Sequence, residues 1–406
     1  MNWADSGFNK YRKSTVFLTV LLVFLLQLQD IKFFGVKGGE CLGLVVLFFS
    51  VKKLNLSEKI LFVFFTFFLL ITIIKNTSTY FPDVTYDHIF KTPYLINIAR
   101  WLEYMSCIGI MVFVRLYLFN SDHKENLFSL FLMQNVIFSL LILFFFVIEI
   151  QGWSLFDFAY GSNNRLKAFF VEGGPFGLYN AFLIIFSWLF LKDKQKLLAV
   201  VVFGLMVVLS RSKAGTTCLL IFFVIEAIVA LFRKCSFRLI YKFLLAGFVF
   251  FAFCFIGYEM FKPYTQTLFD YEFLIGIVND NPEHYWINGG RIPGYYITKR
   301  MVVENPLTGI GVGNYQLLRN SDLFRMDFSV TKYWDYHGFG GIVDLVVEFG
   351  VIGLCCFLII IYKMYFKSLS WRALIVLLPF FFGLPLYFHY PWVILTILKC
   401  HKTIER

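Results

Sequence analysis

LFSLFLMQNVIFSLLILFFFVIE, running from Leu127 to Glu149, decides the fold class. It carries one charge, at its last residue, and as a helix it is long enough to cross the roughly 30 Å hydrocarbon core of a bilayer. The same pattern recurs along the chain in both directions. Apolar runs fall at 15–31, 35–51, 59–74, 97–119, 127–149, 173–191, 197–210, 214–232, 239–260, 338–362, 373–387 and 388–399. Of the 406 residues 59% are hydrophobic, 54 are Phe, and the mean hydropathy is +0.72. The expected fold is all-α: a polytopic membrane protein with about twelve transmembrane helices.

Charge sets the expected threading. The net charge of +11 and pI near 9.1 do not point to nucleic acid, because most Lys and Arg sit in short connections between apolar runs. With the N terminus inside, the inner segments hold about twice as many Lys and Arg as the short outer connections, so both termini are expected in the cytoplasm. Lys10, Arg12 and Lys13 precede a first run with no small-residue cleavage site, which reads as a retained span. The eight cysteines lie in apolar runs or basic connections and form neither a disulfide framework nor a CxxC metal pattern. Three blocks result: helices 1–9 over 1–260, a long outer loop with short helices over 261–336, and helices 10–12 over 337–406.

Two outer segments exceed what a turn requires, Gln151 to Glu172 and Phe261 to Tyr336. Long ordered connections usually carry function. In the second, Pro293 is suited to start a helix over Gly294 to Glu304, which Asn305-Pro306 would stop. Arg165, Arg211, Arg291 and His337 all fall on the outer side, where gathered cations suit a phosphorylated substrate held at the bilayer surface. Singly, each has a plainer reading as an interface anchor or a loop residue; their joint occurrence favours a site.

The stretch Gly289-Gly290-Arg291-Ile292-Pro293-Gly294-Tyr295-Tyr296 continues to Asn305-Pro306-Leu307-Thr308-Gly309-Ile310-Gly311-Val312-Gly313-Asn314. It ends at Tyr336-His337-Gly338, ahead of Glu348-Phe349-Gly350. This resembles the O-antigen polymerase and O-antigen ligase family of bacterial envelope enzymes, in which an arginine-bearing helix leads into such a glycine turn and a histidine opens the next span. Asn164-Arg165-Leu166 with Glu172-Gly173-Gly174-Pro175-Phe176-Gly177, and Ser210-Arg211-Ser212-Lys213, are similar to further family segments; the first looks more like polymerases. Gly338 departs from the pattern, since members often place Asn after the histidine.

The resemblance implies a GT-C-like membrane fold with a large periplasmic loop. It also implies a metal-independent glycosyltransferase, without cofactor, acting on undecaprenyl-diphosphate-linked glycans at the periplasmic face of the inner membrane, with a chain-length regulator as protein partner. Arginine grips a diphosphate through paired hydrogen bonds at any working pH, which suits Arg165, Arg211 and Arg291 to substrate binding, and Arg211 and Arg291 also to leaving-group stabilisation. His337 is suited to accept the proton of an attacking sugar hydroxyl or to hydrogen-bond phosphate. Polymerase is the favoured expectation and ligase the alternative. A lipid-linked oligosaccharide flippase or proton-coupled transporter is the alternative from another class, motivated by Glu103, Arg115, Glu226, Asp344 and Glu348 within spans. Structural hydrogen-bond networks account for those charges at least as well. For Gly309, Gly311 and Gly313, a tight turn into a membrane helix is a simpler role than phosphate binding. Asp83, Asp87 and His88 match no metal pattern.

Overall fold

The computed structural model describes residues 13–28, 32–33, 36–82, 92–118, 124–153, 156–160, 164–170, 172–234, 270–280, 291–328, 340–366 and 384–402. The main helices are α1 (Lys13–Gln27), α2 (Gly38–Ser50), α3 (Leu56–Asn76), α4 (Pro93–Phe113), α5 (Lys124–Ile150), α6 (Gly173–Phe190), α7 (Asp193–Ser210) and α8 (Lys213–Lys234). Then come α9 (Tyr271–Asp280), α10 (Arg291–Glu304), the short α11 (Tyr315–Leu318) and α12 (Asp322–Arg325), α13 (Gly341–Ile361) and α14 (His389–Lys402). Among the described residues are two small antiparallel strand pairs, β1 (Lys32–Phe33) with β2 (Val36–Lys37) and β3 (Ala159–Tyr160) with β4 (Arg165–Leu166).

Among the described residues, five helices are long and apolar enough to cross a membrane: Leu56–Asn76, Pro93–Leu116, Phe128–Ile150, Gly173–Phe190 and Gly341–Met364. They coincide with five of the expected runs and fit a multi-pass membrane protein in a lipid bilayer. The run at 239–260 and most of that at 373–387 lie outside the described residues. Two ends differ from expectation. The hairpin occupies the start of the 35–51 run, and α2 begins only at Gly38, where the Glu40 carboxylate accepts the Lys37 N–H at 3.1 Å. Helix α10 starts at Arg291 rather than Gly294, so Pro293 sits inside the first turn, where its missing N–H has no intrahelical acceptor to lose.

The chain forms two compact units, one of Met1–Phe67, Ala99–Phe222 and Phe357–Arg406, the other of Phe68–Ile98 and Phe223–Cys356. In the first, helices approach through small residues. A Cβ on Gly109 would collide with the backbone of Gly43, and one on Gly215 would lie 2.7 Å from the Gly177 carbonyl oxygen. At the expected inner ends Arg115 closes a two-pronged ion pair on Glu58 (2.8 and 2.7 Å) and donates to the Lys53 carbonyl at 2.9 Å. Glu58 also completes a reciprocal cap with Asn55, which is why α3 begins there.

In the second unit α9 to α12 and the first half of α13 enclose their own core. Leu274, Tyr296, Ile297, Met301, Ile310, Tyr315, Leu318, Phe324, Phe328 and Val347 are buried together. Each such side chain contributes about 1.5–3 kcal/mol relative to exposure. Part of the expected long loop is therefore an ordered helical cap with an apolar interior.

Candidate functional site

Arg165 and Arg211 are brought to one place. Arg165 lies on β4 and donates from Nε to the Ser210 carbonyl at 3.2 Å; Ser210 is the last residue of α7 and the immediate neighbour of Arg211. Arg211 separates α7 from α8 in a left-handed conformation (φ 50°, ψ 37°), which is uncommon for a side chain with a Cβ. Ser212 then caps α8, accepting the Gly215 N–H at 3.1 Å while donating to the Gly174 carbonyl at 2.8 Å.

Gly173 opens α6 against the same turn. A Cβ there would stand 2.7 Å from the Ser210 oxygen and 3.0 Å from that of Leu166, so the close approach requires glycine. Arg211 and Lys213 are exposed and Arg165 is half-buried. The result is a basic patch where the N-terminal ends of α6 and α8 meet the C-terminal end of α7, and the side-chain charges of Arg165, Arg211 and Lys213 suit an anion.

Arg291 begins α10 in the second unit; its side chain lies outside the described residues, as do His337, Trp286, Trp334, Tyr336, Asp83, Asp87 and His88. What the second unit does reveal is the role of the glycine stretch. Helix α13 is broken at Gly350 (φ 68°, ψ −174°), and the loop after α10 fills the break. Val351 and Ile352 donate to the carbonyls of Pro306 (2.9 Å) and Leu307 (3.2 Å). In return Ile310 and Gly311 donate to the carbonyls of Val347 (2.8 Å) and Glu348 (3.0 Å).

Backbone groups that the break would leave without helical partners are thus satisfied by the loop. Gly309, at φ 65°, has no room for a Cβ, which would lie 2.5 Å from the Val347 oxygen. The Gly313 N–H is taken by the Glu348 carboxylate at 3.0 Å. These glycines serve a backbone splice, and the N–H groups of Gly311 and Gly313 are already engaged by protein.

The loop is also clasped from the side by residues that sequence reading did not single out. Asn76 donates to Asn97 Oδ1 (2.7 Å), Asn97 to Asn314 Oδ1 (2.8 Å), and Asn314 back to Asn76 Oδ1 (2.8 Å), closing a ring of three buried amides. Asn97 further donates to the Val312 carbonyl, Thr72 Oγ1 accepts the Val312 N–H at 2.8 Å, and the Lys75 ammonium donates to the Gly309 carbonyl. The one available signal was polar residues at the ends of apolar runs, where an amide is costly unless bonded.

Asp344 caps its own helix by accepting the Gly340 N–H at 2.9 Å. Nearby, burial pushes the Tyr315 phenol above its ordinary range against the opposing charge of Arg319, itself almost fully buried. In the first unit Glu103 pairs with Arg100, whose guanidinium lies 3.8 Å from the centre of the Tyr387 ring. Ser106 Oγ lies 2.8 Å from His389 Nε2 and 2.7 Å from the Glu103 carbonyl oxygen. His389, too, carried no sequence signal beyond its place at the start of an apolar run.

No protein-family model matches the chain, and no curated protein matches it.

Proposed function

We propose that the chain is an O-antigen polymerase, a glycosyltransferase that joins undecaprenyl-diphosphate-linked repeat units at the periplasmic face of the inner membrane. The observation that carries this reading is the basic patch: Arg165 contacts the residue next to Arg211, at the starts of α6 and α8. Arginines there suit a diphosphate, whose two oxygens match the planar fork that lysine lacks.

In the proposed reaction an acceptor sugar hydroxyl attacks the anomeric carbon of a second lipid-linked glycan. The new glycosidic C–O bond forms as the bond to the diphosphate breaks. The hydroxyl proton passes to a general base and the negative charge leaving with undecaprenyl diphosphate is held by arginine; His337 and Arg291 are the candidates for these roles in the second unit, and Arg165 and Arg211 the candidate diphosphate ligands in the first. Arg115 and Glu348, two of the charges that a carrier would use, are committed to an ion pair and to the loop splice. That favours a transferase over a transporter.

Gel analysis of lipopolysaccharide from a strain lacking the protein tests the reading. A polymerase leaves core carrying a single repeat unit. Core carrying no unit would instead identify a ligase, and a normal ladder would refute both.

A further inference from the structure

We infer that the amide ring of Asn76, Asn97 and Asn314, together with Thr72, Lys75 and Glu348, is a positioning device for the transfer reaction proposed above, on which reading the inference rests. An unbroken apolar α13 would satisfy its own backbone at no conformational cost. The chain instead keeps a break at Gly350 and threads a loop through it with Gly309, Gly311 and Gly313 all at positive φ. Glycine is what allows the chain to follow this path, and a departure from regular helix that local sequence would otherwise favour marks functional positions.

What the splice joins indicates its purpose. The loop leaves directly from the end of α10, whose first residue is Arg291, and it locks to α13, whose first residue follows His337 by four positions in sequence. The clasp contains neither group; it fixes the loop that follows α10 and the broken stretch of α13. Within the ring each amide gives one N–H and accepts another, so a carboxylate at any of the three positions removes a donor and repels its neighbours. Lys75 and Glu348 hold the two ends of Gly309–Gly313 by a carbonyl and an N–H.

The test uses purified full-length protein with lipid-linked repeat units, comparing wild type with Asn97→Asp and the milder Lys75→Met. A positioning role predicts that kcat falls about tenfold or more while KM stays within about threefold, because misplacement of reacting groups by about 1 Å costs on the order of a hundredfold. In parallel, spin labels at Val303→Cys and Ile352→Cys, both exposed, in a background without the eight native cysteines, report the distance across the splice. The distribution should be narrow in wild type and broaden in both variants.

An unchanged kcat with an unchanged distribution overturns the inference, as does a raised KM at constant kcat, which would indicate substrate contact instead. If Asn97→Asp does not fold, Lys75→Met decides. Should wild type make no polymer, the polymerase reading fails by itself, and the label distances alone judge the clasp: an unbroadened distribution in the variants overturns it.

Discussion

Gly309 and Gly276 make opposite demands on the same substitution. At Gly309 an added methyl group meets the Val347 oxygen and the Glu348 backbone, and φ is +65°. Gly309→Ala should therefore destabilise by about 2–5 kcal/mol, from the left-handed penalty plus overpacking. Gly276 lies within α9 with nothing near a new Cβ, so Gly276→Ala should raise stability by up to about 1 kcal/mol. Thermal unfolding of the detergent-solubilised variants checks both. Arg211 poses a sharper question, since its left-handed backbone is strained for any residue but glycine. Arg211→Gly is expected to gain about 1 kcal/mol in stability and to lose polymer formation, the signature of strain retained for function. Stability gained with a normal lipopolysaccharide ladder would remove Arg211 from the site.

At the scale of elements, the junctions hold the fold and were the hardest to read. The runs at 59–74, 97–119, 127–149, 173–191 and 338–362 emerge as helices within a few residues of expectation, because uninterrupted apolar length leaves the backbone no other way to satisfy itself in lipid. The break at Gly350 was hidden, since the Gly-Val-Ile-Gly sequence around it is as apolar as the helix it interrupts. The amide ring was hidden for another reason: Asn314 lies more than 200 residues from Asn76 and Asn97, and an asparagine in the sequence looks the same whether it is bonded or exposed. Arg115 was legible as a buried charge but its partner was not. Arg115→Ala leaves the Glu58 carboxylate, 3% exposed, without its two-pronged partner and should cost about 2–4 kcal/mol. A Glu58→Gln, Arg115→Met double variant should recover much of that loss in a thermodynamic cycle, whereas simple additivity would show the two side chains act independently.

For the whole molecule, a multi-pass helical protein was legible from hydropathy alone, and Arg165 and Arg211 were legible as charges at the ends of apolar runs. Arg165 reaches the Ser210 carbonyl beside Arg211, an outcome that a hairpin and a strained helix junction produce and that no spacing in the sequence reveals. The proposed chemistry asks arginine to hold a diphosphate, a role proposed for Arg291 as well, and a base to take a proton, the role proposed for His337. The most direct test is therefore the reaction itself: purified protein with defined lipid-linked repeat units, followed by the length of the glycan formed and the release of undecaprenyl diphosphate. Wild type should build a ladder, while Arg291→Lys and His337→Ala, present at equal amounts, should leave the units unjoined. A ladder of normal length from both variants, or none from wild type given authentic substrate, would contradict the account.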